Sequence, residues 1–301
     1  MRPKIAISIG DPNGIGLEIA IKAHDTIKQI CQPLYCVDEA LIAQAAKLLN
    51  TPLPKDMDLF GLDLTCPITP GEITQEAGRY SYESFLKAIE LAQENKVDAI
   101  TTLPIHKKAW EKAGISYKWH TDMLRDIFKR DAIMMLGCSQ MYVALFSEHI
   151  PLREVIPTIE EKRLTSFLLD FYTSTKASKV AVLGVNPHAG DGGVLGNEES
   201  IIKKAISNAN STLQKNIFEG PLVPDVAFTP HIRTHYTYYV AMYHDQGLAP
   251  LKALFFDESI NVSLNLPILR TSVDHGTAFD IAYKNKAKLQ SYLEAIHYIL
   301  S

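Results

Sequence analysis

Short runs of β-branched and apolar residues alternate along this chain with longer stretches of helical period, the pattern of a largely parallel sheet wrapped by helices. The runs predict strands at Ile5–Ile9, Leu34–Val37, Ala99–Leu103, Met141–Phe146, Val180–Val185, Val226–Phe228, Tyr239–Tyr243 and Asn261–Leu264. Helical spacing predicts helices at Leu17–Lys28, Ala40–Leu49, Tyr80–Glu94, Glu160–Phe171, Glu198–Asn210, Thr277–Tyr283 and Lys286–Ile299. The fold class expected is therefore α/β. No low-complexity linker or internal repeat separates two units, so a division into domains requires the chain to cross more than once. Crossings near the Lys112–Lys118 loop and near Asp257–Ile260 would divide 1–115 plus 259–301 from 116–258.

Composition keeps this picture and narrows the partners. With 301 residues, 47% of them hydrophobic and 21% charged, the chain can bury one large or two medium cores. A net charge of -4 provides no overall basic field for nucleic acid or an anionic membrane. No stretch approaches the ~18 to 20 uninterrupted apolar residues of a spanning helix. The apolar run near the N-terminus, broken by Gly10, Asp11 and Pro12, is too short for a signal sequence. A cytoplasmic protein without nucleic-acid or membrane partners is expected. Cys31, Cys36, Cys66 and Cys138 form no CxxC pair and stand in mainly apolar settings, which predicts buried free thiols.

Three histidines stand just past predicted strands: His149, His188 and His244. Side chains at the carboxyl ends of parallel strands converge on one crest, where α/β proteins bind ligands. These residues are too distant in sequence for a local zinc clip, but three neutral imidazoles with open positions suit a catalytic divalent ion. Asp245 and Gln246, directly after His244, are candidates to orient a histidine ring. The turn containing Gly190, Gly192, Gly193 and Gly196 either lets backbone approach a ligand or is simply a tight loop before the helix at Glu198.

Anion chemistry has two candidate locations. The loop from Gly10 to Gly16 has glycines spaced G-x-x-x-G-x-G, not G-x-G-x-x-G, and Pro12 removes a backbone donor where a phosphate cradle needs one. That loop is expected to cap the first helix and line a cleft, not to bind a dinucleotide. His120, Thr121, Lys252, Asn261 and Arg270 offer the charged and hydroxyl donors that a phosphate needs.

The strings Gly10-Asp11-Pro12-Asn13-Gly14-Ile15-Gly16, Trp119-His120-Thr121-Asp122, Asn186-Pro187-His188-Ala189-Gly190, Ala241-Met242-Tyr243-His244-Asp245-Gln246-Gly247 and Arg270-Thr271-Ser272-Val273-Asp274-His275-Gly276-Thr277-Ala278 occur in this order over nearly the whole chain. In this the chain resembles the 4-hydroxythreonine-4-phosphate dehydrogenase family. The resemblance implies two α/β/α domains of the isocitrate/isopropylmalate dehydrogenase-like type, with an active-site cleft between them, and a homodimer. It implies His149, His188 and His244 as ligands of one divalent ion (zinc, magnesium or cobalt). His120, Thr121, Lys252, Asn261 and Arg270 would contact a small phosphorylated amino-acid substrate, and Lys252 and Asp225 are the catalytic candidates. Asp274, His275, Gly276, Thr277 and Ala278 would bind NAD or NADP in a loop that needs no Rossmann fingerprint.

The implied activity is oxidation of 4-phosphooxy-threonine to a β-keto acid that decarboxylates to 3-amino-2-oxopropyl phosphate, a step of pyridoxine 5'-phosphate biosynthesis. A dehydrogenase of another phosphorylated hydroxy acid, a metal-dependent phosphate-ester hydrolase and a non-catalytic metabolite-binding protein are the alternatives. Three departures from the family pattern stand out: Tyr283-Lys284-Asn285-Lys286 replaces a glycine-flanked lysine, Leu103 replaces a glycine before Pro104, and Thr237 replaces an aspartate.

Overall fold

The structure is a computed structural model that describes residues 2–300. Its strands are β1 (Lys4–Ser8), β2 (Gln32–Cys36), β3 (Asp58–Phe60), β4 (Ala99–Thr102), β5 (Ile133–Cys138), β6 (Met141–Leu145), β7 (Val180–Leu183), β8 (Phe218–Leu222), β9 (Tyr238–Ala241), β10 (Ile260–Leu264) and β11 (Leu269–Val273). The chain divides into two compact units. The first runs to Arg130 and takes up Ile260–Val262 and the stretch from Leu266 onward; the second is Asp131–Ser259 with Ser263–Asn265. The chain therefore changes unit at 130/131, where the sequence pattern had suggested 115/116. Helix His120–Phe128 stays with the first unit because Met123 and Leu124 bury in the same core as Phe85 and Trp110.

In the first unit the strand order is β3-β2-β1-β4-β11, all parallel. Alternate residues of these strands face opposite ways, and each face meets its own helices. Ile5, Ile7, Tyr35 and Val273 pack with residues of helices Gly16–Ile27, Glu39–Leu48 and Gln290–Leu300. Ala6, Leu34, Cys36 and Ile100 pack with Phe85, Trp110, Met123 and Leu124 on the other face. Burying side chains such as Phe85 contributes roughly 1.5–3 kcal/mol each, so two such faces justify the helix-sheet-helix layering.

The second unit has the order β5-β6-β9-β7-β8, antiparallel only between β5 and β6. Met141, Val143, Leu145, Tyr239 and Ala241 meet Leu248, Leu251 and Phe255 of helix His244–Phe255. Helices Glu161–Thr175 and Glu198–Leu213 bury Leu164, Leu168 and Phe171 and Ile202, Ala205 and Ile206 respectively.

Two expected elements take other forms. Val226–Phe228 is not a strand: Pro224 opens a short helix, Pro224–Ala227, its fixed φ and missing N–H suiting the first helical turn. Thr277–Tyr283 is helical only as a 3-10 turn, Phe279–Ile281, because Ala278 (φ 45°) and Tyr283 (φ 57°) are left-handed at either side. Asn285 is left-handed as well (φ 60°). Here Tyr283 donates its hydroxyl to the Pro12 carbonyl at 2.6 Å and Asn285 donates Nδ2 to the Leu49 carbonyl at 3.0 Å, which offsets part of the strain. All four cysteines are buried and outside any disulfide, and no helix among the described residues is long and apolar enough to cross a membrane.

Gly78 gives a direct test of the packing. It lies in helix Gln75–Gln93, where alanine is ordinarily better than glycine by about 1 kcal/mol, but a Cβ there would overlap the backbone carbonyl of Ala109. Overpacking costs roughly 1–3 kcal/mol or more, and neither backbone is the free end of a side chain. Gly78→Ala is expected to lower the urea midpoint of the protein; an unchanged or higher midpoint would mean that the helices separate at little cost.

Candidate functional site

In the second unit β6, β9 and β7 lie side by side and run the same way, so their carboxyl ends share an edge. His149 follows β6, His244 follows β9 and His188 follows β7. The rings of His149 and His244 are neighbours, with centroids 5.4 Å apart. His188 sits in a loop whose residues His188, Ala189, Gly190, Asp191 and Gly192 are all left-handed, a conformation that only the two glycines adopt without steric cost. The Glu199 carboxylate holds the start of that loop. Its Oε1 accepts the N–H groups of Val185 and Asn186 at 3.0 and 2.7 Å, and its Oε2 accepts from the Asn186 amide at 2.9 Å.

The expected partners of the histidines divide in role. Asp245 Oδ1 is 2.6 Å from His244 Nδ1; in neutral His244 this places the proton on Nδ1 and leaves the Nε2 lone pair available to a cation. Gln246 bonds to backbone. It accepts from the Met242 N–H at 2.7 Å and donates to the Gly184 carbonyl at 2.6 Å, so it joins the ends of β9 and β7. Met242 in turn accepts from the Ser147 hydroxyl at 2.6 Å. The roots of all three histidine loops are thus hydrogen-bonded together, a role that neither Gln246 nor Ser147 announces in sequence.

The donor set of three imidazoles, one with its tautomer set by a carboxylate, fits a divalent ion. The three ring nitrogens nevertheless do not form a group within 4.8 Å of one another. Among the described residues the set that does is His24, Asp25 and Asp56 in the first unit. There the Lys28 ammonium already reaches Asp25 at 2.5 Å and Asp56 at 3.0 Å, so the cluster carries its own cation. Also in the second unit are Lys252, in the last turn of helix His244–Phe255, and Asp225, exposed on helix Pro224–Ala227.

The first unit repeats the arrangement with other chemistry. Parallel neighbours β1, β4 and β11 end in the Gly10–Gly16 loop, Leu103–Pro104 and the Asp274–Ala278 loop. These loops touch: Ile15 N–H donates to the Thr277 carbonyl at 3.1 Å and Asp11 N–H to that of Pro104 at 2.8 Å. Gly10, left-handed at φ 69°, has no room for a Cβ against Pro104. Helix Gly16–Ile27 has no side-chain cap, so the loop does not cap it in the expected way; Asp11 instead accepts the Asn13 N–H at 2.9 Å, stiffening the loop itself. His275 Nδ1 lies 3.1 Å from the Gly276 carbonyl and must donate to it, while Gly276 is open to solvent.

Beneath this edge, Arg270 and Thr121 are buried and His120 nearly so. Thr102 Oγ1 accepts from Arg270 Nε at 3.1 Å and Nη2 at 2.6 Å, and Arg270 Nη2 also lies 3.1 Å from His120 Nδ1. Burial lowers the Arg270 pKa to about 9, so the guanidinium remains charged at neutral pH. Thr102 was not legible as a site residue, since nothing marks one strand threonine among others. Asn261, half-buried, has a carbonyl oxygen with no hydrogen-bond partner among the described residues.

The fold is α/β of the isocitrate dehydrogenase-like type: the crystal structure of isocitrate dehydrogenase from Methylococcus capsulatus aligns with a TM-score of 0.50 at 13% identity, over 99% of this chain and 85% of that one. The family model of pyridoxal phosphate biosynthetic protein PdxA matches residues 29–299, and the chain belongs to this family. A 4-hydroxythreonine-4-phosphate dehydrogenase of Sulfurimonas denitrificans is 60% identical over 293 residues, 97% of this chain and 95% of that protein. The crystal structure of 4-hydroxythreonine-4-phosphate dehydrogenase from Klebsiella pneumoniae aligns with a TM-score of 0.84 at 33% identity, covering 99% and 97% of the two chains.

Asp11 is fully buried and its Oδ2 has no hydrogen-bond partner, so burial raises its pKa from 3.8 to about 7. Between those values the folded protein holds a proton that the unfolded chain has released, so this group's stabilising contribution, full below pH 3.8, is lost as pH rises toward and through 7. Asp11→Asn is expected to be more stable than the parent above pH 7, by up to a few kcal/mol, with the difference shrinking toward pH 4. Parallel pH profiles of the urea midpoint in the two proteins would contradict this assignment.

Proposed function

We propose that this protein catalyses the NAD-dependent, divalent-metal-dependent oxidation of 4-phosphooxy-L-threonine at its carbinol carbon. The resulting β-keto acid loses carbon dioxide to give 3-amino-2-oxopropyl phosphate, a step of pyridoxine 5'-phosphate biosynthesis. The observation that carries the reading is the row of parallel strands β6, β9 and β7, each followed by one histidine, with His149 beside His244 and Asp245 on the His244 ring. The names of relatives as similar as 60% support the substrate.

In this reading His149, His188 and His244 hold the ion (zinc, magnesium or cobalt), and the Asp274–Ala278 loop holds NAD or NADP. When bound, the ion supplies a Lewis acid for the oxygen of the reacting carbinol and the nicotinamide supplies the hydride acceptor. The chain's own residues bind and orient. His120, Thr121, Lys252, Asn261 and Arg270 contact the substrate, and grip on its phosphate supplies binding energy that aligns the reacting carbon. Arg270 is suited to this because Thr102 fixes two of its nitrogens and its charge survives burial. Lys252 and Asp225 are the side chains proposed to act in proton handling.

A cytoplasmic homodimer completes the proposal. Its support is a set of exposed apolar side chains in the second unit, among them Leu152 at 66%, Val194 at 79% and Phe256 at 63% exposure.

Purified protein given a divalent ion, NAD and 4-phosphooxy-threonine should generate NADH absorbance. Release of inorganic phosphate with no need for NAD would instead identify a hydrolase. His188→Ala should lose metal binding, measured by Co(II) absorption, and lower kcat/KM by roughly 10³-fold or more, a magnitude fitting the several kcal/mol that a Lewis acid supplies. Its melting temperature should stay close to the parent's, because His188 is exposed; retained turnover in that variant would remove the metal assignment.

A further inference from the structure

We infer that His120 is held as the neutral tautomer with its proton on Nε2, and that this N–H is a hydrogen-bond donor to a phosphate oxygen of the substrate. The second half rests on the reading of His120 as a substrate contact; the first stands on geometry alone.

An arginine can only donate. With Arg270 Nη2 at 3.1 Å, His120 Nδ1 must therefore be the acceptor, which means that it carries no proton. Thr102 holds the guanidinium in place through Nε and Nη2, so the arginine cannot easily turn away. The proton of the neutral ring is consequently on Nε2, a buried nitrogen with no hydrogen-bond partner among the described residues. A buried donor without a partner costs about as much as a lost hydrogen bond, and it is retained here beside a buried cation, a combination that selects an anionic oxygen.

Protonation of the ring is opposed from each side. The guanidinium repels a second positive charge, and it is the charge that acts on His120 among the described residues. Phe85 and Trp110, the neighbouring rings, meet the imidazole in T-shaped contacts at 4.5 and 5.7 Å and bring no carboxylate. The ring is also the first residue of helix His120–Phe128, where the backbone dipole disfavours a cation. Burial and Arg270 together hold its pKa well below the usual histidine range. His120 therefore contributes a directed neutral donor and does not take a proton from the substrate.

Long-range ¹H–¹⁵N correlation of the full-length protein with ¹⁵N-labelled histidine tests this between pH 5.5 and 8, with the His120 signals assigned by their loss in His120→Gln. The expected spectrum has an unprotonated Nδ1 and a protonated Nε2 that do not titrate across the range. An imidazolium, or a proton on Nδ1, at the signals that both His120→Gln and His120→Leu remove would overturn the assignment. Added inorganic phosphate should shift the Nε2 signal, and an unmoved signal at saturation would overturn the donor role. His120→Leu should weaken phosphate binding roughly ten- to a hundredfold, the worth of one hydrogen bond to a charged group, while His120→Gln, which keeps an N–H donor, should lose less. Equal affinities in the Leu variant and the parent would likewise overturn it. These readouts use neither NAD nor turnover, so failure of the dehydrogenase reading is seen separately in the NADH assay.

Discussion

The Gln246 amide accepts the Met242 N–H and donates to the Gly184 carbonyl, and through this one side chain the ends of β9 and β7 are joined just before each turns into a histidine-bearing loop. Met242 extends the connection to Ser147, which precedes the loop of His149. Both amide bonds are buried, where losing a partner exposes the full desolvation cost of the other group. Side-chain positions at a crest of parallel strands depend on such ties, because the strands themselves end before the histidines begin. Glu199 does the corresponding work inside the His188 loop, whose run of left-handed residues would otherwise have many alternatives.

The first unit solves a different problem, that of keeping a charged group under a layer of protein. Arg270 is almost inaccessible, and its neighbours Thr102 and His120 accept hydrogen bonds from it. Burying a charge is costly unless it is hydrogen-bonded, and these bonds offset part of that cost. The packed rings of Phe85 and Trp110 give His120 little freedom to rotate, and the tautomer follows from the arginine's inability to accept. Here the hydrogen-bond inventory, and not any single distance, determines the chemistry that the site presents.

Above that layer, the three loops that end β1, β4 and β11 lock onto one another through backbone bonds from Asp11 and Ile15 and through the close approach of Gly10 to Pro104. The Asp274–Ala278 loop joins this contact through the Thr277 carbonyl. Tyr283, left-handed itself, is held by its hydroxyl on Pro12, which places its strain against the same loop. Each unit therefore has a polar edge at the ends of three adjacent parallel strands, one built from imidazoles and the other from backbone and a buried cation.

The sequence by itself determined the α/β class, most of the longer helices, the burial of the four cysteines and the three histidines that follow strands, because each of these depends on periodicity or on a residue's own chemistry. Short or unusual segments were not legible in the same way. β3, β5, β8 and β11 carry weak alternation, Val226 lies in a helix begun by Pro224, and Thr277–Tyr283 is interrupted by left-handed residues. Gln246 was noticed for its position after His244, yet its partners are the backbones of Met242 and Gly184; Thr102 and the His120 tautomer were not visible at all. Only the tertiary structure decided these, since strand order, and not distance along the chain, sets which donor meets which acceptor.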